Sequence, residues 1–134
     1  MKRWAAVLGP LAVVCVLAAC SSSATTSPSP AAFASQADQV VADLAAGKYA
    51  AVEGKFDPAM MTANQTLPLP KAWAACQHLL GTYRSHGTPT FAQKGQFDLE
   101  QVPVTWANGP GSIIITYNPD GTIAGLHCYG TPPS

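Results

Sequence analysis

Charge is scarce in this chain of 134 residues: 10% of them are Asp, Glu, Lys or Arg, and the seven positive side chains match the seven negative ones. Ordinary domains carry about a quarter. With 48% of the residues hydrophobic, so few charges exclude a disordered polyelectrolyte. The balance argues equally against a protein whose main business is nucleic-acid phosphate, and no nucleic-acid partner is expected. Long apolar runs are missing too. The nearest, Ala5 to Ala19, is short of the roughly 20 residues a membrane span needs and carries Gly9-Pro10 inside it. Catalytic motifs are absent: there is no G-x-S-x-G elbow, S-x-x-K pair, H-E-x-x-H helix or phosphate-cradling glycine loop. No catalytic residue and no cofactor is therefore assigned. The length allows one domain.

What is present begins with an address. Met1-Lys2-Arg3 is basic and the short apolar run follows it, which is the layout of a secretory signal peptide over residues 1–19. The run ends in Leu17-Ala18-Ala19-Cys20, a branched aliphatic residue, two small residues and a cysteine. This pattern resembles the bacterial lipobox, in which small residues fit the peptidase cleft and the cysteine sulfur receives diacylglycerol. The resemblance implies a lipid anchor on Cys20 at the extracytoplasmic face of a bacterial cell membrane. Two or three acyl chains hold far more firmly than a single myristoyl chain. A plain secreted protein cut near Ala19 and an uncleaved anchor are the alternatives. Cleavage before Cys20 removes Lys2 and Arg3, leaving five positive against seven negative charges, a net of −2.

Residues 20–30 read as a lipidated cysteine and a spacer. Ser21 to Pro30 (SSSATTSPSP) has no large apolar side chain to offset its ordering entropy. At about 3.1 Å per residue in a polyproline conformation, it reaches some 30 Å. Its hydroxyls are candidates for glycosylation.

The folded part, residues 31–130 with a tail at 131–134, reads helices first and strands last. Ser29 can cap a helix opened by Pro30, and Phe33, Ala37, Val40, Val41 and Leu44 then share one face until Gly47. Tyr49, Val52 and Phe56 keep helical spacing in a shorter segment. Asp57-Pro58 is a second cap-plus-proline start, and Pro70 opens a further helix to about Leu80, with Trp73, Cys76 and Leu80 on one face. Beyond Gly81 the period becomes two. Thr82 to Phe91 is weakly patterned, with a break at Gly87–Pro89; Phe97–Glu100 and Val102–Trp106 alternate, with Pro103 expected at an edge or a bulge. Ser112–Tyr117 and Thr122–Tyr129 form a hairpin about Asn118-Pro119-Asp120-Gly121. The fold class is α+β: two to three N-terminal helices packed on a curved antiparallel sheet of three to four strands.

Pairing Asn118 with Thr122 sets Thr116 opposite Ala124, Ile114 opposite Leu126 and Ser112 opposite Cys128 on one side. Tyr117, Ile123, Ile115, Ile113 and His127 fall on the other. Both faces are largely apolar, so one should meet the helices, and the face bearing Ile113, Ile115 and Ile123 is a candidate surface for a protein partner or homodimer.

With Cys20 lipidated, Cys76 and Cys128 remain as a pair in an oxidising exterior, where a helix-to-sheet disulfide is expected. Free buried thiols and a zinc site from Cys76, His78, His127 and Cys128 are the alternatives. Geometry speaks against zinc, because His127 and Cys128 point to opposite faces of a strand while Cys76 and His78 are about 200° apart around a helix. His86, between Ser85 and Gly87, reads as solvated. Asp98 and Glu100 share one strand face and, with Trp73, Phe97 and Trp106, make a candidate pocket; a solvated acidic strand and an aromatic core are the plainer readings.

A wider resemblance runs over Ala32 to Tyr129. Its marks are Leu44-Ala45-Ala46-Gly47-Lys48-Tyr49, Val52, Phe56-Asp57, Met60, Met61, the helix with Trp73 ending at Gly81, and the close from Tyr117 to Leu126. The layout resembles domain-of-unknown-function family 3887, exported bacterial domains of the nuclear-transport-factor-2-like, cystatin-type α+β fold. Members are similar to modules found alone in lipoproteins or placed before a serine-hydrolase or peptidase domain. The resemblance implies a fold and an exported location, and carries over no catalytic residue. The expected function is a membrane-tethered, non-catalytic binding or interaction module. The alternative is a small-molecule cavity protein, including an isomerase- or hydrolase-like enzyme of the same fold.

Overall fold

The computed structural model describes residues 28–131. The expected signal peptide over residues 1–19, Cys20, most of the expected spacer and residues 132–134 lie outside the described residues.

Helix α1 (Pro30–Ala45) starts as its sequence dictates: the Ser29 hydroxyl accepts the Ala32 N–H, and Pro30 fills the first turn, where no N–H is missed. It stops at Gly47, whose φ of 75° suits glycine. The short α2 (Tyr49–Glu53) follows. In α3 (Pro58–Thr66) the Asp57 carboxylate caps the Met60 N–H at 2.8 Å, and α4 (Leu69–Leu80) runs to Gly81 at φ 89°. Five antiparallel strands complete the fold: β1 (Tyr83–His86), β2 (Thr90–Lys94), β3 (Phe97–Trp106), β4 (Gly109–Tyr117) and β5 (Ile123–Gly130). The order is β1-β3-β4-β5, with β2 also pairing β3. The architecture is α+β, as expected, with four helices and five strands among the described residues rather than the two to three and three to four expected. The additional strand arises because Thr82–Phe91 is two half-strands, broken at Gly87–Pro89.

That break explains Pro103. The strand holding it is interior, not an edge, and no bulge is needed. The Pro103 carbonyl accepts the Gly87 N–H at 2.8 Å, so its nitrogen faces the same side, where β1 has ended and β2 has not begun. The missing N–H falls in the gap between two half-strands.

Along β3, Asp98, Glu100, Val102, Val104 and Trp106 point inward and their neighbours outward. Ile113, Ile115, Tyr117 and Ile123 join them in one core with Phe33, Ala37, Val40, Val41 and Leu44 of α1. Phe33 stacks on Tyr117 at 4.8 Å. The sheet face offered above as a partner surface is therefore covered by the chain's own helices, with Ile113 at 1% exposure and Ile115 and Ile123 at 0%. Each such side chain contributes about 1.5–3 kcal/mol when buried, which is why the chain's own amphipathic helix occupies the face.

The hairpin register differs from expectation by one residue. Asn118 does pair with Thr122, and Tyr117 with Ile123, but Ala124 is an extra residue on β5. Beyond it Thr116 faces Gly125, Ile114 faces His127, and Ile113 faces Cys128. The slip turns Cys128 inward and His127 outward. Cys128 thereby meets α4, where it is bonded to Cys76 with their Cα atoms 6.2 Å apart. The pairing uses both thiols and removes them as zinc ligands.

Candidate functional site

Three groups of side chains compete for a functional role, and the fold separates them. The first is a cleft of about 370 Å³ between α3, α4 and β5. Its walls are Met60, Ala63 and Leu67 from α3 and the following turn, Leu69, Ala72, Trp73 and Cys76 from α4, and Ala124 to Cys128 from β5. Leu44, Phe56 and Ile113 also line it. Among the described residues on its walls there is no carboxylate, lysine or arginine; Asn64 supplies polarity, while His127 lines the cleft with its side chain turned to the outer face of β5. The volume lies in the lower part of the range for ligand pockets, about 300–1,000 Å³.

Local chemistry holds the cleft open. Helix α3 buries none of its residues, so packing alone does not place it. Asp57 does: one carboxylate oxygen caps α3 and the other accepts the Asn118 amide at 2.8 Å, tying the helix to the β4–β5 turn. Phe56 forms a parallel bridge with Ile123 beside it. At the far end of α3 the Asn64 Oδ1 accepts the Leu69 N–H at 2.7 Å, fixing the turn into α4. The disulfide then fastens α4 to β5 across the opposite wall.

The second group is Asp98, Glu100 and Tyr117. Asp98 is 8% exposed, Glu100 and Tyr117 0%. Both Glu100 carboxyl oxygens and the Tyr117 hydroxyl have no hydrogen-bond partner among the described residues. Burial pushes the Glu100 carboxyl up from its usual 4.5, and the charge of Asp98 adds to the push. Burial, with Glu100 close by, likewise raises the Tyr117 phenol. An ionised carboxylate without partners in such a place costs several kcal/mol, which is the origin of the upward push.

The third group is a relay at one end of the sheet. His86 Nδ1 lies 2.6 Å from the Tyr83 hydroxyl, and His86 Nε2 lies 2.8 Å from Asp38 Oδ1. The imidazole thus bridges the Tyr83 hydroxyl and the Asp38 carboxylate through its two ring nitrogens. Tyr83 keeps its proton the more firmly because burial, and then the Asp38 charge, raise its pKa. His86 is therefore not solvated as its sequence neighbours indicated; it joins β1 to α1.

The expected pocket of Trp73, Phe97, Asp98, Glu100 and Trp106 is not one site. Trp73 lines the cleft, with Trp106 packed against it at 5.7 Å in the core. The Trp106 indole N–H donates to the Tyr129 carbonyl. Asp98 and Glu100 sit on the inner face of β3, outside the cleft, and Phe97 alternates to the outer face. The residues missed were those of α3 and β5: Met60, Ala63, Asn64, Leu67, Leu126 and His127. The signal for them was Leu67-Pro68-Leu69, apolar residues where a polar turn was due.

The family model for proteins of unknown function named DUF3887 matches residues 37–126. No curated protein matches the chain, and no solved structure does.

Proposed function

The chain belongs to the DUF3887 family, and on that footing we propose that it is a bacterial lipoprotein anchored through Cys20, whose domain is a non-catalytic binding module. In this reading the anchor holds the protein at the extracytoplasmic face of the cell membrane, and the cleft between α3, α4 and β5 is the binding site. The cleft carries the proposal: its walls are largely apolar, with the Asn64 amide among them, and its frame is fixed by a cap, a turn and a disulfide. Concave apolar sites with a few polar groups are the usual form of ligand pockets. The lipobox-like Leu17-Ala18-Ala19-Cys20 and a disulfide suited to an oxidising exterior support the location. Asp98 and Glu100, on which an isomerase- or hydrolase-like alternative rests, lie outside the cleft, which favours binding over chemistry.

Two measurements test the reading. Expressed in bacteria, the chain partitions into the detergent phase and Cys20→Ser moves it to the aqueous phase; an unchanged partition would refute the anchor. Anilinonaphthalene sulfonate, an apolar dye, brightens on the Cys20→Ser chain and loses that signal with Ala63→Trp, which plugs the cleft from an exposed position. Equal signals from both chains would refute the cleft as the site.

A further inference from the structure

We infer that the cleft holds the hydrocarbon chain of a single-chain lipid amphiphile, such as a fatty acid, drawn from the membrane to which the protein is tethered; the inference rests on the anchor and cleft reading above.

Position is the first argument. The described chain begins at Pro28, whose ring lies against Gly121 in the β4–β5 turn: a Cβ on Gly121 would stand 3.2 Å from Pro28 Cγ. That turn is also where Asn118 holds the cap of α3, and β5 leaves it to line the cleft from Ala124 onward. One end of the cleft is thus beside the point where the tether joins the domain. Pro28 is eight positions on from Cys20, about 25 Å when extended. With an anchor on Cys20, a tether of that length would keep this end of the domain near the lipid surface.

Wall chemistry is the second argument. Met60 and Leu67 are long and adaptable, while Ala63, Ala72 and Ala124 leave room between them, a surface suited to a flexible unbranched chain. For the head group, Asn64 has committed its Oδ1 to Leu69, which leaves its Nδ2 free to donate. With no carboxylate on the walls, an acidic or ester head meets no repulsion there. A cationic head would find no counter-charge.

The test uses the Cys20→Ser chain and palmitate as the probe, read by displacement of anilinonaphthalene sulfonate and by quenching of Trp73, which lines the cleft. Expected is one palmitate per chain, with the affinity reduced about tenfold or more by Ala63→Trp and again by Ala72→Trp. Both variants should keep the far-ultraviolet circular dichroism of the parent. If the dye binds and palmitate does not displace it, the acyl inference falls while the cleft reading stands. When neither binds, both fall. A third arm fixes the source: the lipidated chain, extracted and analysed by native mass spectrometry, should carry a separate amphiphile lost on Ala63→Trp. A cleft filled instead by the chain's own Cys20 acyl group, so that the Cys20→Ser chain alone accepts palmitate, would overturn the membrane as source.

Discussion

Breaking the bond between Cys76 and Cys128 measures how far this domain depends on that crosslink. The two cysteines are 52 residues apart. Closing a loop of that length removes unfolded-chain entropy equivalent to about 4 kcal/mol at 25 °C. A domain of this size has about 5–15 kcal/mol in total, so the loss takes about a quarter of it or more. At roughly 4–8 °C per kcal/mol, the melting temperature should fall by about 15–30 °C. Urea unfolding of three samples makes the comparison: oxidised parent, reduced parent, and the Cys76→Ala/Cys128→Ala variant. Reduced parent and double variant should agree within about 1 kcal/mol, since the half-buried sulfurs contribute little packing of their own. Both should show a steeper denaturant slope than the oxidised chain, because their unfolded states are more expanded. A loss below about 1 kcal/mol would refute the entropic account.

Glu100 makes stability depend on pH in a known sense. Its carboxyl is raised in the folded chain, so the folded state holds the proton more tightly than the unfolded one. That contribution is complete below the ordinary value of 4.5 and is lost as pH rises through the folded value. Melting temperature should therefore decline across that window in the parent, and Glu100→Gln should flatten the decline; an identical slope in both would sink the assignment. Asp57→Ala removes the α3 cap and the tie to Asn118 together, at a cost of about 2 kcal/mol. Hydrogen exchange should then quicken in α3 before α1, and uniform protection across the helices would count against Asp57 as its fastening.

The helix boundaries were legible in the sequence because capping is local: Ser29-Pro30, Asp57-Pro58 and the glycines at 47 and 81 act within a turn of themselves. The core face of α1 was legible by its spacing. Sheet register was not, because a single extra residue at Ala124 leaves no mark in the alternation yet exchanges the faces of His127 and Cys128. The expected disulfide is met through that bulge, since the unbulged register would have turned Cys128 away from Ile113. The cleft was harder still. Its walls come from three elements whose meeting depends on Asp57 with Asn118, 61 residues apart, and such contacts have no local signature. Asp98 and Glu100 were correctly placed on one face, but periodicity cannot tell a pocket from a core.

Strand β2 has every residue exposed, yet it pairs Phe91 with Glu100 and Gln93 with Asp98. It shares β3 with β1 without touching the same residues, so it can peel away alone. Its amides are therefore the ones expected to exchange first in the sheet, ahead of those of β3 and β4.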